Sequence, residues 1–146
     1  MSEARVEVRP RKVRRVAIPV AVVLVVVFAL VGLLLRNTST GVVFSVSDQV
    51  AMVFLGMLLA GGVLWLLRPR VRADADGVEV RNLVGTQRYE WPLVQAFSFP
   101  DGAAWARLEL PEDEYVPIMA IQAADGEHAV TAMRRLRELR REAQTS

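Results

Sequence analysis

Two long runs without a charged side chain dominate the first half of the sequence. Residues 16–35 are VAIPVAVVLVVVFALVGLLL, and residues 50–67 are VAMVFLGMLLAGGVLWLL. An α-helix rises about 1.5 Å per residue, so about 20 apolar residues span the roughly 30 Å hydrocarbon layer of a bilayer. The runs therefore predict two transmembrane helices, over 16–35 and 50–67. The alternative, two core helices of a soluble protein, is disfavoured because both runs lie so close together in the chain.

Basic residues flank this pair of runs on its outer sides. Residues 1–15 carry six cations against two acids, and three arginines follow residue 67 directly, whereas residues 36–49 balance one arginine against one aspartate. Cationic flanks stay on the cytoplasmic side. We therefore expect a multi-pass plasma-membrane protein with both termini cytoplasmic and 36–49 as a short extracytoplasmic loop. Near anionic lipid the flanking cations are expected to contact the membrane surface. They are Arg9, Arg11, Lys12, Arg14, Arg15, Arg68, Arg70 and Arg72.

A cleaved signal peptide is the alternative interpretation of the N-terminus. Its apolar part would be unusually long at 20 residues, and the following RNTSTG offers no small-residue cleavage site. Small residues on both runs instead favour close packing of two helices. They are Ala29 and Gly32 on the first run and Gly56, Ala60 and Gly61 on the second. A homodimer contact through the same residues is a second possible use.

Beyond residue 67 the pattern changes from continuous apolar to alternating. Residues 77–83, GVEVRNL, and 86–91, TQRYEW, alternate apolar and polar side chains, and glycine-containing turns separate such segments. About six short strands are expected, and most aromatic side chains should lie in their core, with one or two free to line a groove. We therefore predict an α+β domain over 68–142, a basic N-terminal segment over 1–15 and a tail over 143–146.

The last segment, residues 127–142, has the pattern of an amphipathic helix. Val130, Met133, Leu136 and Leu139 are expected to form its apolar stripe. Asp125 is expected to cap its start, and Glu138 and Glu142 to pair locally with its arginines. A solvated helix face is the default interpretation of those arginines. The alternative is contact with a partner protein or anionic lipid through Arg134, Arg137 and Arg141.

Four features together resemble the bacterial pleckstrin-homology-like (PH-like) domain, specifically actinobacterial membrane proteins related to low molecular weight protein antigen 6. They are the two N-terminal spans, the Arg-Pro-Arg sequence at 68–70, DGVEVRNL followed by YEWPLV with its Trp91-Pro92 step, and the closing AVTAMRRLRELR. The resemblance implies two near-orthogonal antiparallel sheets capped by a C-terminal helix. Phosphoinositide-binding relatives use a basic cluster on their first two strands and the loop between them. Residues 73–77, ADADG, take that position in this interpretation and are acidic, which disfavours such binding.

The residues needed for most kinds of catalysis are scarce. The chain has no cysteine and one histidine, His128. Asp125, Glu127 and His128 lack a fourth metal ligand, and a turn followed by a helix start explains them. Neither a nucleophile–base pair nor a glycine-rich phosphate loop is present. We therefore expect no enzyme activity, no metal, no cofactor and no small-molecule substrate.

Charge disfavours nucleic acid as a partner, because residues 73–146 carry eight arginines against thirteen acids. The expected function is a membrane-tethered, non-catalytic interaction or scaffold module, with another membrane protein or a second copy of the chain as its partner. The alternative is a sensor of anionic lipid surfaces.

Overall fold

The chain forms two compact units that are not simply successive in sequence. The computed structural model describes residues 5–37 and 45–145. One unit contains Val13–Leu67, and the other combines the N-terminal residues through Lys12 with the chain from Arg68 onward. Half of the predicted connecting loop, 36–49, lies outside the described residues.

Two long helices form the first unit. Helix α1 covers Lys12–Asn37 and helix α2 covers Val46–Trp65. Both are long and apolar enough to cross a membrane, and only 11% of the most apolar window of each is buried. A soluble core helix would be mostly buried, so the structure does not favour that alternative. At the start of α2 the hydroxyl of Ser45 accepts from the backbone N–H of Asp48, and the Asp48 carboxylate accepts from the N–H of Ser45. This capping box satisfies donors that a helix start leaves free.

Small residues allow α1 and α2 to approach closely, as predicted. A Cβ atom placed on Gly56 would lie 2.6 Å from Cβ of Phe28, so only glycine fits there. Ala60, one turn further along α2, is also buried. Gly61 differs, because a Cβ atom there would meet nothing within 4 Å. The packing face of α2 therefore contains Gly56 and Ala60 but not Gly61.

Two antiparallel sheets and a C-terminal helix form the second unit. In the described part of the chain the first sheet has the strand order β1-β2-β3-β4 and the second has β5-β6-β7. The predicted fold class, a helical hairpin with an α+β PH-like domain, is confirmed. The elements are β1 (Val6–Val8), β2 (Arg70–Ala73), β3 (Gly77–Arg81), β4 (Thr86–Glu90), β5 (Ala96–Ser98), β6 (Trp105–Glu109), β7 (Tyr115–Gln122) and α3 (Glu127–Thr145).

Strand β1 lies in the segment that was predicted only as a basic N-terminus. It pairs with β2 in antiparallel register, with Val6 opposite Ala73 and Val8 opposite Val71. The first sheet is therefore a continuous antiparallel meander whose first connection contains both helices. The acidic residues 73–77 join the second and third strands, so assigning them to the loop between the first two strands was wrong. In this fold the helical hairpin itself takes the place of that loop.

Both sheets and α3 contribute to one hydrophobic core. Trp91, in a 3₁₀ turn after β4, meets Phe97 of β5 edge to face, with ring centroids 6.2 Å apart. Its indole N–H donates to the backbone oxygen of Asp74 at 2.8 Å, so this large ring is buried with its polar atom satisfied. The fully buried side chains with the largest volumes are Leu108, Ile118, Ile121, Leu136, Val71 and Val78.

Three residues in this unit differ from the sequence-based expectation. Val130 was placed in the apolar stripe of α3 but is 58% exposed, because a strict spacing of three drifts around a helix of 3.6 residues per turn. Trp105 is also exposed rather than in the core. Gly77 was expected to use the freedom of glycine to adopt a positive φ in a tight turn, but it does not. It is required because a Cβ atom there would lie 2.4 Å from the backbone oxygen of Tyr89.

Candidate interaction surface on the C-terminal helix

A groove of about 600 Å³ runs along one side of α3. This volume is within the range of roughly 300–1,000 Å³ that ligand-binding clefts occupy. Phe99, just after β5, and the exposed Val130 of α3 contribute apolar surface, and the buried Met133 lies beneath them in the lining. Phe99 is thus an aromatic side chain that lines a groove, and the sequence had not indicated which aromatic would do so. We call this surface the α3 groove; its other lining residues are Ala123, Gly126, Ala129, Arg134, Arg137, Glu138 and Arg141.

The helical repeat explains why the arginines line the α3 groove. Met133, Leu136 and Leu139 are buried against the sheets and fix the rotation of the helix. Residues three and four positions apart share a helix face. Arg134, Arg137 and Arg141 therefore project from one side of α3. All three candidate contact residues of this helix lie in one groove, which is the arrangement a binding surface requires.

The three groove arginines differ in how they are held. A terminal nitrogen of Arg137 donates to the backbone oxygen of Phe97 at 3.0 Å, which fixes the guanidinium over β5. Arg134 and Arg141 are exposed and form no ion pair with any residue of 5–37 or 45–145. The predicted local pairs with Glu138 and Glu142 are absent from that part of the chain. Since Glu138 is the one acid in the groove lining, cations outnumber acids there.

Several of the predicted membrane-surface cations also make contacts within the domain, and their contact with a membrane stays a prediction. Arg68 donates to the backbone oxygen of Asn82 at 3.2 Å, and Arg70 approaches Glu79 at 3.5 Å. Arg72 lies 3.3 Å from Glu7, which also binds Arg9 at 2.9 Å. The hydrogen bond from Arg9, together with nearby Arg72, lowers the pKa of Glu7.

The remaining predicted contact cations lie at the start of α1. The side chains of Arg11, Lys12, Arg14 and Arg15 are exposed. Their contact with a membrane surface stays a prediction.

Arg81 is a further cation in this region, although it was not among the predicted contact residues. It lies opposite Arg70 in the pairing of β2 with β3, and its Nε donates to the backbone oxygen of Arg68 at 2.9 Å. Burial and the neighbouring guanidinium groups of Arg70 and Arg68 lower the pKa of Arg81. Cross-strand register could have revealed this like-charge pair, but only if the pairing of β2 with β3 had been known.

Asp125 and His128 hold the N-terminal segment to the domain. The Asp125 carboxylate accepts from the backbone N–H of Lys12 at 2.7 Å and of Arg11 at 3.2 Å. A ring nitrogen of His128 lies 2.9 Å from the backbone oxygen of Arg9. Asp125 was expected to cap α3, and its carboxylate instead binds the chain at the start of α1. Within residues 5–37 and 45–145, no cluster of three His, Cys, Asp or Glu side chains could hold a metal ion.

The fold and its surface define a class of protein. Residues 68–139 match the family described as the bacterial PH domain. The chain is also 53% identical, over 108 residues, to an uncharacterized protein from each of two strains of Mycobacterium tuberculosis and one of Mycobacterium bovis. The match covers 74% of this chain and 70% of each relative. The chain therefore belongs to the family of these mycobacterial proteins, with a bacterial PH domain. No solved structure matches it.

Proposed function

We propose that the protein is a membrane-tethered interaction module, anchored by α1 and α2 in the plasma membrane with its PH-like domain on the cytoplasmic side. In this role it recruits a partner and catalyses no reaction. We also place it with the actinobacterial proteins related to low molecular weight protein antigen 6, on the motifs described above.

The pairing of β1 with β2 is the observation that carries this proposal. Val8 precedes α1 and Val71 follows α2, yet the two residues are opposite each other in one sheet. A strand cannot pair across a bilayer, so both flanks of the hairpin must lie on the same side. An even number of membrane crossings satisfies this condition, and two apolar helices supply it.

The charge of the flanks selects the cytoplasmic side. The exposed cations at the start of α1 are Arg11, Lys12, Arg14 and Arg15. Positively charged flanks are retained on the cytoplasmic side, and each such residue near an anionic leaflet adds about 1 kcal/mol of attraction. The domain is then held close to the inner leaflet. Tethering raises its effective concentration toward other membrane proteins, so that weak contacts suffice.

Cysteine labelling tests this topology cleanly, because the chain has no cysteine of its own. Ser39→Cys introduces a thiol into the connecting segment, and Val84→Cys introduces one at a domain position that is 91% exposed. A membrane-impermeant maleimide added to intact spheroplasts should label Ser39→Cys and leave Val84→Cys unlabelled. Both variants should react after the membrane is permeabilised. Labelling of Val84→Cys in intact spheroplasts would contradict the proposal.

A further inference from the structure

We infer that the α3 groove binds an acidic amphipathic peptide segment of a partner protein. This inference rests on the proposed function, because it names the chemistry of the partner that the module recruits. It concerns a surface within the PH-like domain and does not depend on how the domain is oriented over the membrane.

The floor of the α3 groove offers apolar surface at the domain exterior. Val130 is 58% exposed, although Ala129 and Met133 of the same helix are buried. Phe99 and Met133 lie beside it in the same groove. An apolar cleft rimmed by polar side chains is typical of a binding groove. One or two apolar side chains of a partner can fill it.

Charge identifies the rest of the partner. Arg134, Arg137 and Arg141 border the apolar floor, and Glu138 is the one acid that lines the groove with them. Arg137 is already positioned by its hydrogen bond to Phe97, so it loses little freedom when a ligand binds. Residues 73–146 together carry eight arginines against thirteen acids, so the local excess of cations distinguishes the groove from the rest of that segment. The complementary ligand combines carboxylates with apolar side chains.

The spacing of the arginines favours a peptide over a single lipid headgroup. From Arg134 to Arg141 the helix rises about 10 Å, so the guanidinium groups follow a line instead of converging on one point. A phosphate group would need several donors around the same oxygen atoms. Carboxylates repeated along a peptide match a linear array of guanidinium groups. Helix-in-groove recognition pairs apolar anchors with flanking charges in this way.

Peptide binding to the full-length protein tests the inference. The protein is placed in nanodiscs of phosphatidylcholine, and the probe is a fluorescein-labelled amphipathic peptide with leucine at helical spacing and glutamate between. A matched peptide carries lysine in place of every glutamate. Fluorescence anisotropy should detect binding of the glutamate peptide alone. Arg134→Glu and Arg141→Glu should each weaken that binding about fivefold or more, because each reverses a rim charge.

Arg135→Glu is the matched control. Arg135 is an exposed arginine on the same helix, but it lies outside the α3 groove, beside Glu127 and His128. Reversing the charge of Arg135 should leave the affinity for the peptide within about twofold, since salt screens exposed charges that do not contact the ligand.

Equal loss of affinity in Arg134→Glu and Arg135→Glu would overturn the inference, as would binding of the lysine peptide or no binding of the glutamate peptide. The groove would be a lipid site if the protein did not bind the peptide but the groove gained hydrogen-exchange protection in phosphatidylglycerol nanodiscs. That result would also overturn the inference. None of these failures would alter the cysteine-labelling result, so the proposed topology is tested independently.

Discussion

The carboxylate of Asp74 stabilises the fold, although it lies in the acidic loop 73–77 beside a second aspartate. Asp74 follows β2, and one of its oxygens accepts from the backbone N–H groups of Asp76 at 2.9 Å and Gly77 at 3.1 Å. The same oxygen also accepts from Arg88 at 3.0 Å. The sequence pattern predicted a turn here and indicated an acidic loop. It could not show that the carboxylate is already bound by the turn and by a side chain from β4.

The ionisation of Asp74 should make the stability of the domain depend on pH. Partial burial disfavours its charged form, but the N–H groups of Asp76 and Gly77 and the Arg88 guanidinium outweigh burial and lower its pKa. A pKa lowered by folding stabilises the protein fully above the unfolded-state value of about 3.9, and that stabilisation is lost as pH falls through the folded-state value. Asp74→Asn should therefore lower the free energy of unfolding at neutral pH by about 1 kcal/mol. It should also make that free energy decrease less as the pH is lowered.

Thermal unfolding in detergent, followed by fluorescence, measures this effect, because the indole of Trp91 binds the backbone of Asp74. Asp76→Asn is the control. Its side chain is exposed and forms no hydrogen bond within the described residues 5–37 and 45–145. A variant Asp74→Asn with the same acid response as the unmodified protein would refute the assignment.

At the scale of elements, composition predicted the long helices well and β1 not at all. The two long helices can be predicted from the sequence because each is specified by a local run of apolar residues. Strand β1 has three residues, of which Val6 and Val8 are apolar, and its pairing partner lies beyond both helices. No local pattern distinguishes such a segment from a basic tail. The strand forms because Val8 completes the hydrophobic core beside Val71, which is a non-local effect.

The contact between α1 and α2 gives a prediction at this scale. Gly56→Ala places a methyl group against Phe28, whose Cβ lies 2.6 Å from the ideal Cβ position, so the helices must separate or shift. Overpacking of this kind costs about 1–3 kcal/mol. The variant should unfold at a lower temperature in detergent and be cleaved faster by protease.

Gly61→Ala is the matched control in the same helix. Nothing lies within 4 Å of the Cβ position at Gly61, and alanine has the higher helix propensity, so this variant should be no less stable than the original protein. If both variants behaved alike, helix propensity alone would explain the result, and the close contact at Gly56 would not be needed.

The whole molecule is best understood as a PH-like domain whose first connection has been replaced by a helical hairpin. The family resemblance predicted the two sheets and the closing helix, but it placed the domain wholly after residue 67.

The α3 groove was predicted only as three arginines on one helix. Phe99 and Val130 could not be assigned to it, because the first was expected in the core and the second in the apolar stripe. Both assignments depend on how α3 is rotated against the second sheet.

The split domain predicts that the hairpin can be removed without loss of the fold. Val8 and Val71 are opposite each other, so Arg9 and Arg70 are next in register and a two-residue turn can join them. Replacing residues 10–69 with Asn-Gly, which favours such turns, should yield a soluble domain. It should be about 2 kcal/mol more stable than a fragment of residues 70–146, because Val8 is buried only when β1 is present. Denaturant unfolding of the two proteins measures the difference.

Adding Val8→Asp to the Asn-Gly variant should remove its extra stability over the fragment, since the substitution places a carboxylate in the core. If the Asn-Gly variant, its Val8→Asp form and the fragment were equally stable, β1 would not be part of the domain. The pairing of β1 with β2 would then no longer require both flanks of the hairpin to lie on one side of the membrane.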